Sequence, residues 1–94
     1  MPSVLITRMR VHAEHLERAV VVFRDMQADV RANEVGTLEY QYYQEAQDPT
    51  VFWVHEVFAD DDAKQHHLGR HGQRRPDFDA ILAEPPFFHE VVQI

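Results

Sequence analysis

Residues 37–59 read TLEYQYYQEAQDPTVFWVHEVFA, and this stretch decides the fold. Two of its segments alternate between apolar and polar side chains with a period of two, which is typical of strands half-buried in a sheet. Between them, Gln47-Asp48-Pro49-Thr50 has the composition of a tight turn, with proline suited to the second turn position. The stretch therefore predicts a β-hairpin whose strands cover residues 37–46 and 51–59.

The residues before the hairpin change their period once. Residues 3–12 alternate in the manner of a β-strand. From Ala13 onward, apolar residues instead recur every three or four positions, which predicts an amphipathic helix of about five turns. This helix is expected to end near residues 33–36, where asparagine and glycine would supply left-handed C-terminal geometry.

The residues after the hairpin predict two short helices and a last strand. Asp60-Asp61-Asp62 offers an N-cap and negative charge to the first of these helices. Residues 77–83 predict the second, which Pro85-Pro86 terminates, and residues 87–94 predict the strand. The resulting order, β-α-β-β-α-(α)-β, is the split-βαβ or ferredoxin-like order. We therefore expect an α+β protein in which helices cover one face of a four-stranded antiparallel sheet.

Composition limits what this chain can be. Residues 1–94 suffice for one small domain, and we expect them to form one. With 9 basic and 16 acidic residues, the net charge of −7 provides no basic surface for nucleic acid or a membrane. The sequence has no cysteine, which excludes disulfide frameworks, thiolate nucleophiles and iron–sulfur clusters. No signal peptide or membrane span is recognisable, so we expect a cytoplasmic location.

The two faces of the predicted sheet differ in character. The face toward the helices is expected to carry Leu5, Thr7, Met9, Leu38, Tyr40, Tyr42, Phe52, Val54, Glu56 and Phe58. The opposite face would carry Tyr43 and Trp53, and burying each of these side chains is worth about 2–3 kcal/mol. They could form a mixed exposed surface, or a second copy of the sheet could pack against them. We favour the second arrangement, a homodimer through the sheet face.

Polar groups interrupt the helix-facing side of the sheet. They are the hydroxyls of Thr7, Tyr40 and Tyr42 and the carboxylate of Glu56. Buried polar groups need partners, and a cluster of them beside a short helix predicts a cavity for a small molecule. Two alternatives remain open. The tyrosines could be core aromatics with hydroxyls at the rim, and Glu56 could hold the second helix through an ion pair.

His67 and His71 lie four residues apart on the first short helix. Histidine suits proton removal because its ordinary pKa is close to neutrality. As alternatives, His67 could contact a backbone carbonyl at the rim, and His71 could stabilise the helix end. Together with Glu56 they would also make a two-histidine, one-carboxylate set suited to Fe(II) or Zn(II). The spacing lacks a His-Glu-x-x-His context, and we expect no metal.

These residues resemble one known family. The stretch GTLEYQYY at 36–43, the Asp48-Pro49-Thr50 turn and Phe52-x-x-x-Glu56-x-Phe58 are similar to the hairpin of antibiotic biosynthesis monooxygenase domains. The similarity continues through His67-Leu68 to Pro85-Pro86. It implies a dimeric α+β barrel with one pocket per subunit, between the sheet and the helices. Some members oxidise quinols or anthrone-like polyphenols with O2 and neither metal nor flavin, whereas others degrade haem, isomerise small molecules or bind them.

The resemblance also bears on the reaction. The haem-degrading branch uses an asparagine, a tryptophan and a histidine, which are replaced here by Thr7, Phe58 and Asp77. We therefore expect cofactor-free oxidation of a hydroxyaromatic or quinol-type substrate by O2, with His67 as proton acceptor and His71 as a second polar contact. The substrate-binding residues are expected to be Thr7, Tyr40, Tyr42, Glu56, Phe58 and Arg70. The alternative is a non-catalytic binding or stress-response module with the same pocket.

Overall fold

The structure is a computed structural model that describes residues 2–94. Its elements are β1 (Ser3–Arg10), α1 (Leu16–Asn33), β2 (Thr37–Gln44), β3 (Val51–Phe58), α2 (Asp61–Gly72), α3 (Arg75–Asp79) and β4 (Phe87–Val91). A short 3-10 helix, Ala13–His15, leads into α1. The strands form one antiparallel sheet in the order β2-β3-β1-β4. This arrangement confirms the predicted ferredoxin-like fold.

The core lies between the sheet and the helices on one of its faces. In β1, Leu5, Thr7 and Met9 are buried, whereas the residues between them are half-buried. The buried residues of α1 recur at helical spacing and are Ala19, Phe23, Met26 and Val30. The periods of two and of three to four in the sequence therefore correspond to the inward sides of β1 and α1.

The start of β2 differs from the prediction. Leu38 was assigned to the helix-facing side, but 62% of this residue is exposed. The cause is a shift in the β2–β3 register: Thr37 pairs with Phe58 and Glu39 pairs with Val57, so Leu38 is the extra residue between them. An extra residue of this kind is left unpaired and breaks the alternation of sides.

The end of α1 also differs from the prediction. Among residues 2–94 no residue has a positive φ, so the expected left-handed geometry does not occur. Instead, Glu34 follows the helix with a φ of −122° and a ψ of 93°. Gly36 is needed for another reason, because a Cβ atom at this position would lie 2.6 Å from the Cβ atom of Ala63 in α2. The glycine therefore allows α2 to approach the start of β2.

We expect Gly36→Ala to lower the free energy of unfolding by about 1–3 kcal/mol, because the added methyl group forces α2 away from β2. Urea unfolding followed by circular dichroism measures this loss. Ala63→Gly in the same chain should restore part of it by removing the opposing methyl group. Gly69→Ala is the matched control, since a Cβ atom there meets nothing within 4 Å. Equal stabilities of the Gly36→Ala and Gly69→Ala variants would contradict the close contact.

The two short helices form where the sequence predicts them, but the second ends early. The side chain of Asp60 accepts a hydrogen bond of 2.8 Å from a backbone N–H in the first turn of α2, as expected of an N-cap. The second helix was predicted over 77–83, yet α3 covers Arg75–Asp79, so it begins two residues earlier and ends four residues earlier. Beyond it, Leu82 forms an isolated antiparallel bridge with Val11, and this pairing requires an extended chain.

The C-terminal segment forms the outer strand of the sheet next to β1. The strand β4 covers Phe87–Val91 and is shorter than the predicted strand over 87–94. It pairs Phe88 with Thr7 and Glu90 with Leu5. In the part of the chain that the structure describes, none of the helices combines the length and the hydrophobicity that a membrane crossing requires.

Candidate functional site

A cavity of about 430 Å³ lies between the sheet and helices α2 and α3. Thr7 from the middle of β1 and His71 from the last turn of α2 line this cavity. Its apolar wall includes Met9, Leu68, Phe78, Leu82, Pro86 and Phe88. A mainly apolar cavity with a few polar groups is the usual form of a small-molecule site.

A larger hollow, of about 700 Å³, lies beside Asp60, Asp61 and Glu90. Among the described residues that line it there is neither a histidine nor an aromatic ring. This acidic pocket therefore lacks an aromatic side chain that could stack on a flat ring and a histidine that could remove a proton from it. The smaller cavity beside His71 is therefore the better candidate for the functional site.

His71 has the properties of a base at the cavity wall. Its ring lies 4.6 Å from the ring of Phe78, measured between centroids, and the residue is half-buried. Burial lowers the pKa of His71 below its ordinary value of 6.5, and the nearby positive charge of His67 lowers it further. The imidazole is therefore neutral near pH 7 and can accept a proton from a bound molecule.

His67 does not reach the cavity, although the sequence suggested it as the proton acceptor. It is 0% exposed, and its Nδ1 atom forms a 2.8 Å hydrogen bond with Glu34 Oε1. On the other side, Nε2 lies 3.2 Å from Glu56 Oε1 but outside hydrogen-bond geometry. The rings of Tyr40 and Phe58 each lie 5.2 Å from the imidazole. His67 is thus enclosed behind the cavity wall, between two carboxylates.

These contacts belong to a longer series, which we call the charge network and which consists of Thr7, Glu56, His67, Glu34, Arg70 and Asp29. At the cavity, the Thr7 hydroxyl donates to Glu56 Oε2 at 3.3 Å. At the other end, Arg70 donates to Glu34 at 2.6 Å and to both carboxylate oxygens of Asp29 at 3.0 Å. The charge network therefore runs from the cavity wall to the surface and joins α1, β1, β3 and α2.

The charges within the charge network stabilise one another. Burial opposes the charge on His67, but its contacts with Glu56 and Glu34 outweigh this effect and raise its pKa above the ordinary 6.5. Burial likewise opposes the charge on Glu34, yet Thr37, His67 and Arg70 lower its pKa below the ordinary 4.5. Both shifts favour the charged forms, so His67 and Glu34 form a buried ion pair.

The two pKa shifts predict a stability maximum between acid and alkaline pH. Protonated His67 stabilises the fold below pH 6.5, and this contribution is lost as the pH rises through the higher pKa of the folded state. Ionised Glu34 stabilises the fold above pH 4.5, and this contribution is lost as the pH falls through the lower folded pKa. We expect urea midpoints measured from pH 3 to about pH 9 to fall on both sides. A midpoint that keeps rising above pH 7 would contradict the charged state of His67.

The remaining predicted substrate contacts lie outside the cavity lining. Tyr40 is buried, and its hydroxyl oxygen lies 2.8 Å from that of Tyr42, whose ring stacks on Phe23 at 4.5 Å. Burial raises the pKa of both tyrosines, so their hydroxyls remain protonated. Phe58 is fully buried, and the guanidinium of Arg70 pairs with its carboxylate partners instead of reaching the cavity. Their positions match the alternative of core aromatics for the tyrosines.

The structure brings Thr7 and His71 together at the cavity and places Glu56 directly behind Thr7. Glu34 was not among the residues that we expected to matter. Its sequence signal is weak but physical: a glutamate just after a helix lies at the negative end of the helix dipole and needs a compensating cation. The cavity-lining Phe78 and Phe88 were also missed, because a phenylalanine near a proline has no signature that distinguishes a cavity wall from a core.

The alternative of a metal bound by two histidines and a carboxylate has no geometric support. Across residues 2–94, no three or more histidine, aspartate or glutamate side chains converge in a way that could hold a metal ion. His67 and Glu56 face one another as an ion pair. Both nitrogens of His67 face carboxylates, so the helical spacing of His67 and His71 does not form a metal site here.

Comparison with solved structures agrees with this fold. A candidate antibiotic biosynthesis monooxygenase from Caulobacter crescentus is 25% identical, with a TM-score of 0.92 over 99% of this chain and 90% of that one. A Pseudomonas aeruginosa protein is 25% identical, with a TM-score of 0.87 over 99% and 94%. A Mycobacterium tuberculosis protein shares the fold at 18% identity, with a TM-score of 0.89 over 100% and 96%.

Sequence comparison extends beyond the fold. No curated protein matches this chain. The sequence profile of the antibiotic biosynthesis monooxygenase family, in contrast, matches residues 2–82. This match covers β1 to the end of α3 and includes both Thr7 and His71. The chain therefore belongs to the antibiotic biosynthesis monooxygenase family.

Proposed function

We propose that this protein, acting as a single domain of residues 1–94, oxidises a small hydroxyaromatic or quinol-type substrate with O2 in the cavity, without a cofactor. The observation that carries the proposal is a half-buried histidine, His71, at the wall of a mainly apolar cavity, where burial lowers its pKa. Membership of the family supports a monooxygenase of this type. The protein has to remove a proton and then hold an electron-rich anion away from water.

The reaction needs five steps. His71 accepts the proton of the substrate hydroxyl, and the resulting anion transfers one electron to O2. The substrate radical and superoxide combine to form a carbon–oxygen bond, and the peroxide takes the proton back from His71. Loss of water then breaks the O–O bond and the C–H bond at the same carbon, and leaves a carbonyl group. Overall, the substrate gains one oxygen atom and loses two hydrogen atoms, and the second oxygen atom leaves as water.

The neighbours of His71 suit this sequence of steps. The ring of Phe78, which packs against His71, also lines the cavity and can contact a flat substrate ring. Thr7 offers a hydroxyl oxygen at the opposite wall. The buried side chains of Met9 and Phe78 make the inner wall apolar, which favours electron transfer from the anion over its reprotonation by water.

Oxygen consumption with a panel of quinols and anthrone-type compounds tests the proposed function. We expect uptake of one O2 per product molecule, and with ¹⁸O2 we expect one labelled oxygen atom in the product and one in water. Heat-denatured protein is the control for spontaneous oxidation. Formation of hydrogen peroxide without label in the product would contradict a monooxygenase. Tight binding without oxygen uptake would instead indicate the non-catalytic binding module.

We also propose that a second copy of this chain covers the free face of the sheet, giving the dimeric α+β barrel. This face carries the half-buried side chains Ile6, Trp53 and Val57, next to Tyr43, which is 53% exposed. An apolar surface of this extent on a small domain favours association.

The net charge of −7 supports the view that neither nucleic acid nor membrane is a partner, consistent with a cytoplasmic location.

We expect Trp53→Glu to weaken the dimer by about 30-fold or more, because it places a charge at the centre of an apolar interface. Light scattering after size-exclusion chromatography should show a mass near 11.1 kDa instead of twice that value. Trp53 is the single tryptophan, so its emission should shift to longer wavelength when the wild-type dimer is diluted. Val21→Glu is the control, because Val21 is 56% exposed on α1. A wild-type monomer at micromolar concentration would contradict the dimer.

A further inference from the structure

Behind the cavity wall, the charge network contains a buried ion pair that takes no direct part in the proposed reaction. Burying charged groups is costly, and a packed apolar cluster at the same place is often as stable. His67 is nevertheless fully buried, and its Nε2 atom lacks a well-formed hydrogen bond. This arrangement places a positive charge one helical turn from His71, although an apolar cluster in place of the whole ion pair would hold the fold about as well.

We propose that His67 is a positioning residue: its imidazolium, held between Glu34 and Glu56, keeps His71 in the neutral form and, through Glu56, orients the hydroxyl of Thr7. The inference rests on the proposed function, because it assigns His67 a role in preparing the same site. His67 itself touches neither the cavity nor a substrate.

The distance between the two histidines supports an electrostatic effect. The ring centroids of His67 and His71 lie 5.8 Å apart in an edge-to-face arrangement. Like charges at this distance repel strongly in a partly buried site. The positive charge of His67 therefore opposes protonation of His71, while the carboxylates of Glu34 and Glu56 favour it.

The other charged groups around His71 have less influence on its protonation than the charge network has. Arg75 and Asp79 of α3 line the same cavity, but their side chains are largely exposed and lie 3.7 Å apart as an ion pair. Exposed charges of opposite sign largely cancel and are screened by salt. From β1, the facing group is the uncharged hydroxyl of Thr7. The buried groups of the charge network therefore dominate the field at His71.

The contact between Thr7 and Glu56 also determines which substrate group can form a hydrogen bond with Thr7. A threonine hydroxyl has one proton, and Thr7 donates it to Glu56 Oε2 at 3.3 Å. The oxygen of Thr7 is then left with lone pairs only, so it acts toward a substrate as a hydrogen-bond acceptor. A substrate hydroxyl can therefore donate to Thr7, while a carbonyl oxygen cannot be bound there.

Titration of the histidines by NMR, without substrate, tests the positioning role in the wild-type protein. We expect the signals of His67 to show a protonated ring beyond pH 6.5 and those of His71 to show a neutral ring below pH 6.5. Exposed His66 on the same helix is the internal control, because its ring faces solvent and lies away from the two carboxylates. Loss of the His67 proton below pH 6.5 in the folded protein would overturn the proposal.

Two variants separate a charge effect from loosening of the structure. Removing the positive charge by His67→Gln should raise the pKa of His71 by about one to two units, and removing a negative charge by Glu56→Gln should lower it. Loosening of the cavity would admit water, which would reduce the effect of burial and raise the pKa of His71 in both variants. Shifts of the same sign in both, or no shift in His67→Gln, would overturn the proposal. If His67→Gln does not fold, the wild-type titration decides alone: a His67 ring that keeps its proton beyond pH 6.5 while His71 is neutral below it supports the proposal, and the reverse order overturns it.

The rate of the proposed oxidation gives an independent readout. In His67→Gln, the acid limb of the rate profile should move to higher pH by the same amount as the titration of His71, while His66→Gln should leave it in place. A limb that stays in place would overturn the positioning role. If no quinol is oxidised at all, the proposed function fails, whereas the NMR titration still decides whether His67 controls His71.

Discussion

Replacing His71 with glutamine should slow the oxidation of a quinol substrate by about 10²–10⁴-fold, the range expected when a general base is lost. Glutamine keeps a polar group of similar length at the cavity wall but cannot accept a proton at neutral pH. The substrate then reaches its anion only by losing a proton to water. We therefore expect kcat to fall much more than KM rises, because the cavity that binds the ring is unchanged.

The pH dependence identifies His71 more specifically. In the wild-type protein, the rate should fall as the pH drops through the pKa of His71, which burial and His67 place below 6.5. The His71→Gln variant should lack this acid limb. His66→Gln is the matched control, since it makes the same substitution on the exposed side of α2. A His71→Gln variant within about threefold of the wild-type rate would remove His71 from the mechanism.

Replacing His67 with leucine should lower the free energy of unfolding by about 3–5 kcal/mol, because it leaves buried carboxylates without their cation. Leucine fills a similar volume, so a cavity contributes little to this loss. Glu34 retains Arg70 as a partner, but Glu56 retains only the hydroxyl of Thr7. Urea unfolding at one fixed protein concentration measures the effect, since dimerisation would contribute to the stability.

Two further variants separate charge from packing in this experiment. His66→Leu makes the same change at the neighbouring exposed position and should alter the stability by less than about 0.5 kcal/mol. The triple variant His67→Leu, Glu34→Gln, Glu56→Gln removes the buried charges together and should recover much of the loss. A triple variant no more stable than His67→Leu alone would show that the shape of the imidazole, not its charge, holds α2 on the sheet.

Local patterns in the sequence accounted for most of the secondary structure. The alternation in β1, the helical spacing in α1 and the Asp60 cap each depend on residues close together in the chain, so they could be predicted without tertiary contacts. The exposure of Leu38 could not, because it depends on how β2 pairs with β3. The early end of α3 likewise depends on a bridge to Val11, which lies far away in the sequence.

The candidate site was predicted only in part, for a related reason. The sequence singled out the polar groups on the helix-facing side, of which Thr7 lines the cavity, and it offered an ion pair as one role for Glu56. It took His67 as the base because His67-Leu68 resembles the motif of the family, although His71 shares the same helix face and side-chain chemistry. Only the packed structure distinguishes them, since one histidine meets two carboxylates and the other meets an open cavity.

The amino-acid sequence by itself determined the order of helices and strands, the inward side of β1 and α1, and the family. The tertiary structure alone decided which histidine lies between two carboxylates, where the cavity lies and which carboxylates are buried together. Periodicity depends on neighbours within a few residues, whereas a pKa depends on groups brought close in space. Glu34 and His67 are 33 positions apart, and Thr7 and Glu56 are 49 apart, so these contacts exist only once the sheet and α2 have packed.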